Sequence, residues 1–240
     1  MSFTLVQRAP ASGVNDFAGG QSPANRAFGS NVTAGNLLIA YYEAVDPSAT
    51  ETLSITDTLG NSWTLLFSKY CYGNIYYAAW FCVANASGAD TIHITGGSNA
   101  YQNGVILAEF NGPTLLDQVS TPTNWVASGT LTSGAITTTH ADELILSFGA
   151  TVTGFAGGTG GSIASPMALA VNGGWSYSSN YWSAQMGYKV VSSIQTGFAA
   201  VMDSGGSTGG SIVVASFYAS GGGEGGGAAK KPNVPAFWTG

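Results

Sequence analysis

Short apolar or alternating runs recur along this chain at roughly ten-residue spacing, each bounded by Gly, Asn, Asp, Ser or Pro. Alternation with a period of two puts one side of a run in a core and the other outside it, which is strand geometry. The predicted strands of the first part are FTLVQ, NLLIAYYEAV, TLSITD, SWTLLFSKY, IYYAAWFCVA, DTIHIT and GVILAEF. Those of the second are LLDQVS, GAITTT, ELILSFGATV, MALAV, YWSAQMGYKVV, QTGFAAVM and SIVVASFYA. No comparable stretch has the spacing of an amphipathic helix. Only 8% of the residues are charged while 45% are hydrophobic, and 35 of the 240 are Gly, which excludes disorder for the body of the chain.

The runs also repeat over a longer distance. Val105-Ile106-Leu107-Ala108 and Phe110 match Ile212-Val213-Val214-Ala215 and Phe217 at an offset of 107. Leu37-Leu38 match Leu144-Ile145, and Val83 matches Val190, at that same offset. This pattern predicts an internal duplication, with related halves over residues 1–112 and 113–220. NLLIAYY, GVILAEF and SIVVASF are apolar on both faces, as strands buried on both sides are. The expected fold is therefore all-β: one jelly-roll-like β-sandwich over residues 1–220, each half supplying about half its strands. Two tandem sandwiches are the alternative. In TDTLGNSW, Gly60-Asn61 reads as a hairpin turn. In KYCYGNIYYAAWFC a turn at Gly73-Asn74 would set Cys71 opposite Tyr76 and leave Cys71 and Cys82 too far apart to bond, so both are expected as free thiols.

Residues 221–227, GGGEGGG, form a Gly-rich spacer, and residues 228–240 carry a different chemistry. Lys230, Lys231, Pro232, Pro235, Phe237 and Trp238 make a short basic, Pro- and aromatic-bearing peptide suited to docking on a partner, with Phe237 and Trp238 as anchors.

With a net charge of −6 and no basic patch, nucleic-acid binding is not expected. No apolar run reaches the roughly eighteen residues of a membrane helix, and MSFTLVQRAP lacks the layout of a secretory signal. Neither His93 nor His140 has a Cys or second His at ligand spacing, so no metal and no cofactor are expected. Asp57, Asp90, Asp142 and Asp203 sit in turns, where turn chemistry accounts for them as well as a calcium loop would. No catalytic residues are expected. The best enzymatic alternative is a glycosidase-type carboxylate pair, Glu43 and Glu109, whose counterparts at the repeat offset are Ala150 and Ser216.

Aromatic clusters offer binding chemistry instead. Tyr70, Tyr72, Tyr76 and Tyr77 surround one turn. Trp175, Tyr177, Tyr181 and Trp182 lie among Ser, Gly and Asn in GGWSYSSNYW, a composition shared with adaptable recognition loops and with sugar platforms. Tyr and Trp also populate sheets for packing reasons alone.

Asn31-Val32-Thr33-Ala34-Gly35-Asn36-Leu37-Leu38, Thr56-Asp57-Thr58-Leu59-Gly60-Asn61-Ser62-Trp63 and Ala108-Glu109-Phe110-Asn111-Gly112 resemble a loose family of β-sandwich proteins from bacteria and their phages. The similarity spans about residues 3–219, and its motifs are turn and strand motifs. It implies surface or virion structural and binding roles, with no catalytic residues to carry over. The expected function is thus a structural subunit of an extracellular assembly, such as a phage particle. Its expected partners are other subunits of that assembly, in a homo-oligomer, and a cell-surface glycan in the alternative of an adhesive module. The expected location is the virion or the cell surface.

Overall fold

Strands, and no helices, make up the regular structure of the described residues. A computed structural model describes residues 3–10, 24–45, 52–71, 75–96, 102–123, 126, 129–153, 161–177, 180–203 and 209–220. The first half supplies β1 (Thr4–Ala9), β2 (Ala24–Ala27), β3 (Leu37–Val45), β4 (Ser54–Asp57), β5 (Thr64–Cys71), β6 (Ile75–Val83), β7 (Thr91–Thr95) and β8 (Gln102–Asn111). The second supplies β9 (Leu115–Val119), β10 (Thr130–Thr132), β11 (Asp142–Thr153), β12 (Ser162–Ile163), β13 (Ala168–Tyr177), β14 (Asn180–Ser192), β15 (Val201–Asp203) and β16 (Gly209–Tyr218). Every pairing between them is antiparallel.

Each half builds a five-stranded and a three-stranded sheet of its own, so the expected single sandwich sharing strands from both halves gives way to the alternative of two sandwiches. The orders are β1-β8-β3-β6-β5 with β2-β7-β4, and β9-β16-β11-β14-β13 with β10-β15-β12. The order 1-8-3-6 over 2-7-4 is that of a jelly roll. The fifth strand of each half leaves the smaller sheet and pairs with the sixth at the rim of the larger one. The halves agree in register as well as in order. Leu37 pairs with Val83 and Phe110, and Leu144 pairs with Val190 and Phe217, so the offset of 107 holds across three strands of each large sheet. Even the bulges correspond, between Leu5 and Gln7 opposite β8 and at Asp117 opposite β16.

The sheets stack in four layers because the central strands are apolar on both faces. Leu37, Ile39 and Tyr41 of β3 join Leu144, Leu146 and Phe148 of β11 in one core between the two large sheets. Phe148 meets Tyr41 and Phe67 at ring-centroid distances of 5.4 Å each, Phe81 meets Phe217 at 5.3 Å, and Phe110 meets Tyr188 at 5.7 Å. These are tilted and edge-on contacts, the favoured geometries for aromatic pairs. Two polar links cross the same interface: the Tyr77 hydroxyl bonds Ser211 Oγ, and Arg8 Nη1 donates to the Ala170 carbonyl at 2.8 Å. The alternate residues of β3, Leu38, Ala40 and Tyr42, pack outward with Trp80 against Ile92 and Ile94 of the first small sheet. Ile145, Ile212 and Val214 do the same against Leu131 and Met202 in the second half.

Several local expectations change. TDTLGNSW does not close a hairpin, because β4 pairs with β7 in one layer and β5 with β6 in another. The segment crosses between layers and is held by Asp57, whose Oδ1 accepts Asn61 N–H at 2.9 Å and whose Oδ2 accepts Asn61 Nδ2 at 2.8 Å and Trp63 Nε1 at 2.7 Å. Gly60, at φ +70°, supplies the left-handed step that this crossing needs. In the tyrosine hairpin, Cys71 pairs with Ile75 rather than Tyr76, a three-residue connection in place of two. Cys82 is a free, buried thiol in β6, and burial, with Asp57 and Asp90 adding to it, pushes its pKa up. GAITTT forms only a bridge, Ile136 to Phe198, and the neighbouring strand is β10. The spacer 221–227 and the docking tail 228–240, with Lys230, Lys231, Pro232, Pro235, Phe237 and Trp238, lie outside the described residues.

Candidate functional site

One end of the second sandwich gathers ionisable side chains that are far apart in sequence. Asp117 is the extra residue of the β9 bulge, so it escapes the ladder, and bulges commonly re-aim a side chain in this way. His140 ends the TTTH turn, and Glu143 is the second residue of β11. One ligand-type atom from each of Asp117, His140 and Glu143 lies within 4.8 Å of those of the other two. The His140 ring stacks on Tyr218 of β16 at 3.7 Å and 11°, which fixes its plane. Its Nδ1 stands 3.0 Å from Thr139 Oγ1 and 3.6 Å from Glu143 Oε1.

The two carboxyls are held differently. Asp117 accepts Thr139 N–H at 2.7 Å and Thr139 Oγ1 at 2.6 Å. Burial works against its charge, but these donors, together with hydrogen bonds to the Glu143 carboxyl and from Gln118 Nε2, outweigh burial and hold its pKa below the usual carboxylate value. Glu143 is fully buried. Its Oε1 accepts His140 N–H at 2.9 Å, while Oε2 has no hydrogen-bond partner among the described residues. Burial, with the Asp117 carboxyl beside it, pushes the Glu143 pKa up to about 7, against the lowering effect of the Ser216 hydroxyl and the His140 N–H.

The same place in the first half is a closed hydrogen-bond network. Residues 33, 36 and 109 correspond to His140, Glu143 and Ser216 at the offset of 107. There Glu109 Oε1 accepts Thr33 N–H at 2.9 Å and Asn36 Nδ2 at 2.6 Å, and Oε2 accepts Gln7 Nε2 at 2.5 Å. Gln7 is fixed in turn by Ser30, whose N–H and Oγ both donate to its Oε1. One carboxylate and its neutral donors plug the first sandwich. In the second, the buried carboxyl has moved across the ladder to β11, and a histidine and a second carboxyl stand nearby.

The aromatic cluster GGWSYSSNYW forms the far end of the β13–β14 hairpin, with Trp175 opposite Trp182, Ser176 opposite Tyr181 and Tyr177 opposite Asn180. Trp182 is only 5% exposed and belongs to the core between the large sheets. It is therefore a packing residue, which corrects its expected place on an open platform. Trp175, Tyr177 and Tyr181 are placed here by backbone register alone.

The carboxylate pair Glu43 and Glu109 does not converge. Glu43 shares a face with Tyr41, toward the central core, whereas Glu109 pairs with Leu38 and faces the outer layer. Period-two alternation puts them on opposite faces of one sheet, and both are fully buried. Two carboxyls so placed do not flank a glycosidic bond, and the expected pairing is corrected accordingly. Of the turn acids, Asp57 is the crossing lock described above. Asp90 is buried, with Oδ1 accepting from Thr58 Oγ1 at 3.2 Å.

Spacing alone concealed the Asp117–His140–Glu143 cluster, because no short motif links a β9 residue to the turn before β11. A weak signal was present in the repeat: at the 107 offset Thr33 becomes His140 and Asn36 becomes Glu143, a change from neutral to ionisable at both positions. A scan against protein-family models found no match to this chain. Searches of curated proteins and of solved structures found none either.

Proposed function

We propose that this chain is a non-enzymatic structural subunit of an extracellular assembly of the phage-particle kind. The observation that carries this reading is the stack itself: two jelly-roll-like sandwiches joined through their large sheets into one block. Jelly rolls serve both in viral capsids and in lectins, so the support is analogy at the level of fold. The low charge of 8% supports the same reading, as does the resemblance of the turn motifs to those of phage and bacterial surface proteins. In this reading residues 228–240 dock on a neighbouring subunit by burying Phe237 and Trp238, tethered by the spacer 221–227. Light scattering coupled to size-exclusion chromatography, comparing residues 1–240 with 1–220, tests it. A discrete oligomer lost on truncation supports tail-mediated assembly, and identical masses count against it.

The second reading is an adhesive module that binds cell-surface glycan. It is favoured by the placement of Trp175, Tyr177 and Tyr181 within the last residue pairs of the β13–β14 hairpin. Trp175→Ala is then expected to abolish glycan retention without changing the melting temperature, and unchanged retention removes that platform.

A further inference from the structure

We propose that Asp117, His140 and Glu143 bind one divalent transition cation, with Zn2+ the best match. The inference is independent of the reading above. Three observations carry it. The donor set is one imidazole nitrogen and two carboxylate oxygens, which suits Zn2+ better than the all-oxygen preference of Ca2+ or Mg2+. Glu143 is fully buried, its Oε2 accepts from no donor among the described residues, and its side chain lies within hydrogen-bonding reach of the Asp117 carboxyl, a pairing that needs a proton on one of the two. A cation satisfies that oxygen and removes the repulsion between the two carboxyls in one step.

The other half of the molecule supplies the comparison. The corresponding place there holds one carboxylate, Glu109, with both oxygens satisfied by Thr33, Asn36 and Gln7. A site completed by neutral donors has no use for an ion. The second half has replaced the side chains at residues 33 and 36 with a ligand-type pair, and the β9 bulge delivers a third ligand. The remaining groups look like a supporting shell. Tyr218 holds the imidazole plane, and Thr139 orients the Asp117 carboxylate with two donors. His140 is 38% exposed, which leaves one side of the cluster open to water. Ligands at about 2.1 Å in a tetrahedron stand roughly 3.4 Å apart, so the cluster contracts by about an ångström on binding.

The test uses the full chain of 240 residues, stripped with a chelator and titrated with Zn2+ alone by isothermal calorimetry, with thermal melts in parallel. One equivalent is expected to bind and to raise the melting temperature. His140→Ala and Asp117→Asn are each expected to weaken binding by more than about a hundred-fold, beyond the roughly 10–100-fold that loss of a supporting residue costs. His93→Ala is expected to bind as the parent does, and Co2+ in place of Zn2+ to give a ligand-field spectrum that His140→Ala changes. Circular dichroism confirms that the variants keep their sheets, and if His140→Ala does not, Asp117→Asn decides. The proposal is overturned if the parent binds no equivalent at micromolar Zn2+. Binding that survives both substitutions overturns it as well, since the ion would then sit elsewhere, on the thiols or on His93.

Discussion

Glu43 is a costly side chain to bury. It sits in the core between the large sheets, fully buried, and neither of its oxygens has a hydrogen-bond partner among the described residues. Burial raises its pKa well above the ordinary glutamate value, which favours the neutral form in the folded protein. The unfolded chain loses that proton near pH 4.3, so between there and the raised folded value the native state holds more protons than the unfolded one. Stability therefore falls as pH rises through this window, with a limiting slope of about 1.4 kcal/mol per pH unit for one proton. Glu43→Gln is expected to remove that share of the slope, so that urea melts show the variant gaining on the parent as pH rises above about 5. Parallel curves for the two proteins would mean that Glu43 reaches water. None of this was legible in NLLIAYYEAV. A Glu near a strand end reads as solvent-facing, and what covers it comes from another sheet a hundred residues away. The corresponding residue in the second half, Ala150, is an ordinary core residue, which leaves Glu43 without a structural account of its own.

Among the elements, the outer layers of the two halves are fitted by opposite means. Tyr42 and Trp80 fill the first outer core, whereas Gly149 and Gly187 hold the corresponding positions in the second. Their missing side chains let Met202 and Ile163 of the small sheet come in close. A Cβ on Gly187 would lie 2.6 Å from Ser147 Oγ and 2.7 Å from Ile163 Cγ2, and one on Gly149 would strike Met202 Sδ. Gly187→Ala is thus expected to cost about 1–3 kcal/mol by overpacking, measured by chemical denaturation, although alanine suits a strand no worse than glycine. An unchanged midpoint would show that β12 shifts freely. Long strands such as β3, β11 and β16 were legible because burial on both faces leaves continuous apolar runs. The short β2, β10 and β12 were not: they gain their strand geometry from partners rather than from any pattern of their own. The TDTLGNSW segment misled for a related reason. Its turn residues are real, but whether a turn joins paired strands or crosses layers is decided by where the next strand finds its partner.

The whole molecule is a stack in which the middle interface belongs to both halves. Removing either half would bare the face carrying Leu37, Ile39, Tyr41 and Phe110, or its equivalent with Leu144, Leu146, Phe148 and Phe217. The two sandwiches are therefore expected to melt together, with a single calorimetric transition whose van't Hoff and calorimetric enthalpies agree. Two resolved transitions would show that the central core couples the halves only weakly. The offset of 107 was visible in the sequence, and the structure carries the same offset as a register across three strands of each half. The way the halves meet was less visible, since apolar runs report that both faces are covered without saying by which sheet. β3 and β11 lie at the middle of their own sheets and also at the middle of the stack. Every path from water to their amides passes another strand or another layer, so a proton or a protease reaches them only after something outside has come away. The centre of the molecule thus keeps time separately from its surface, and its opening rate is set by the layer that lets go first.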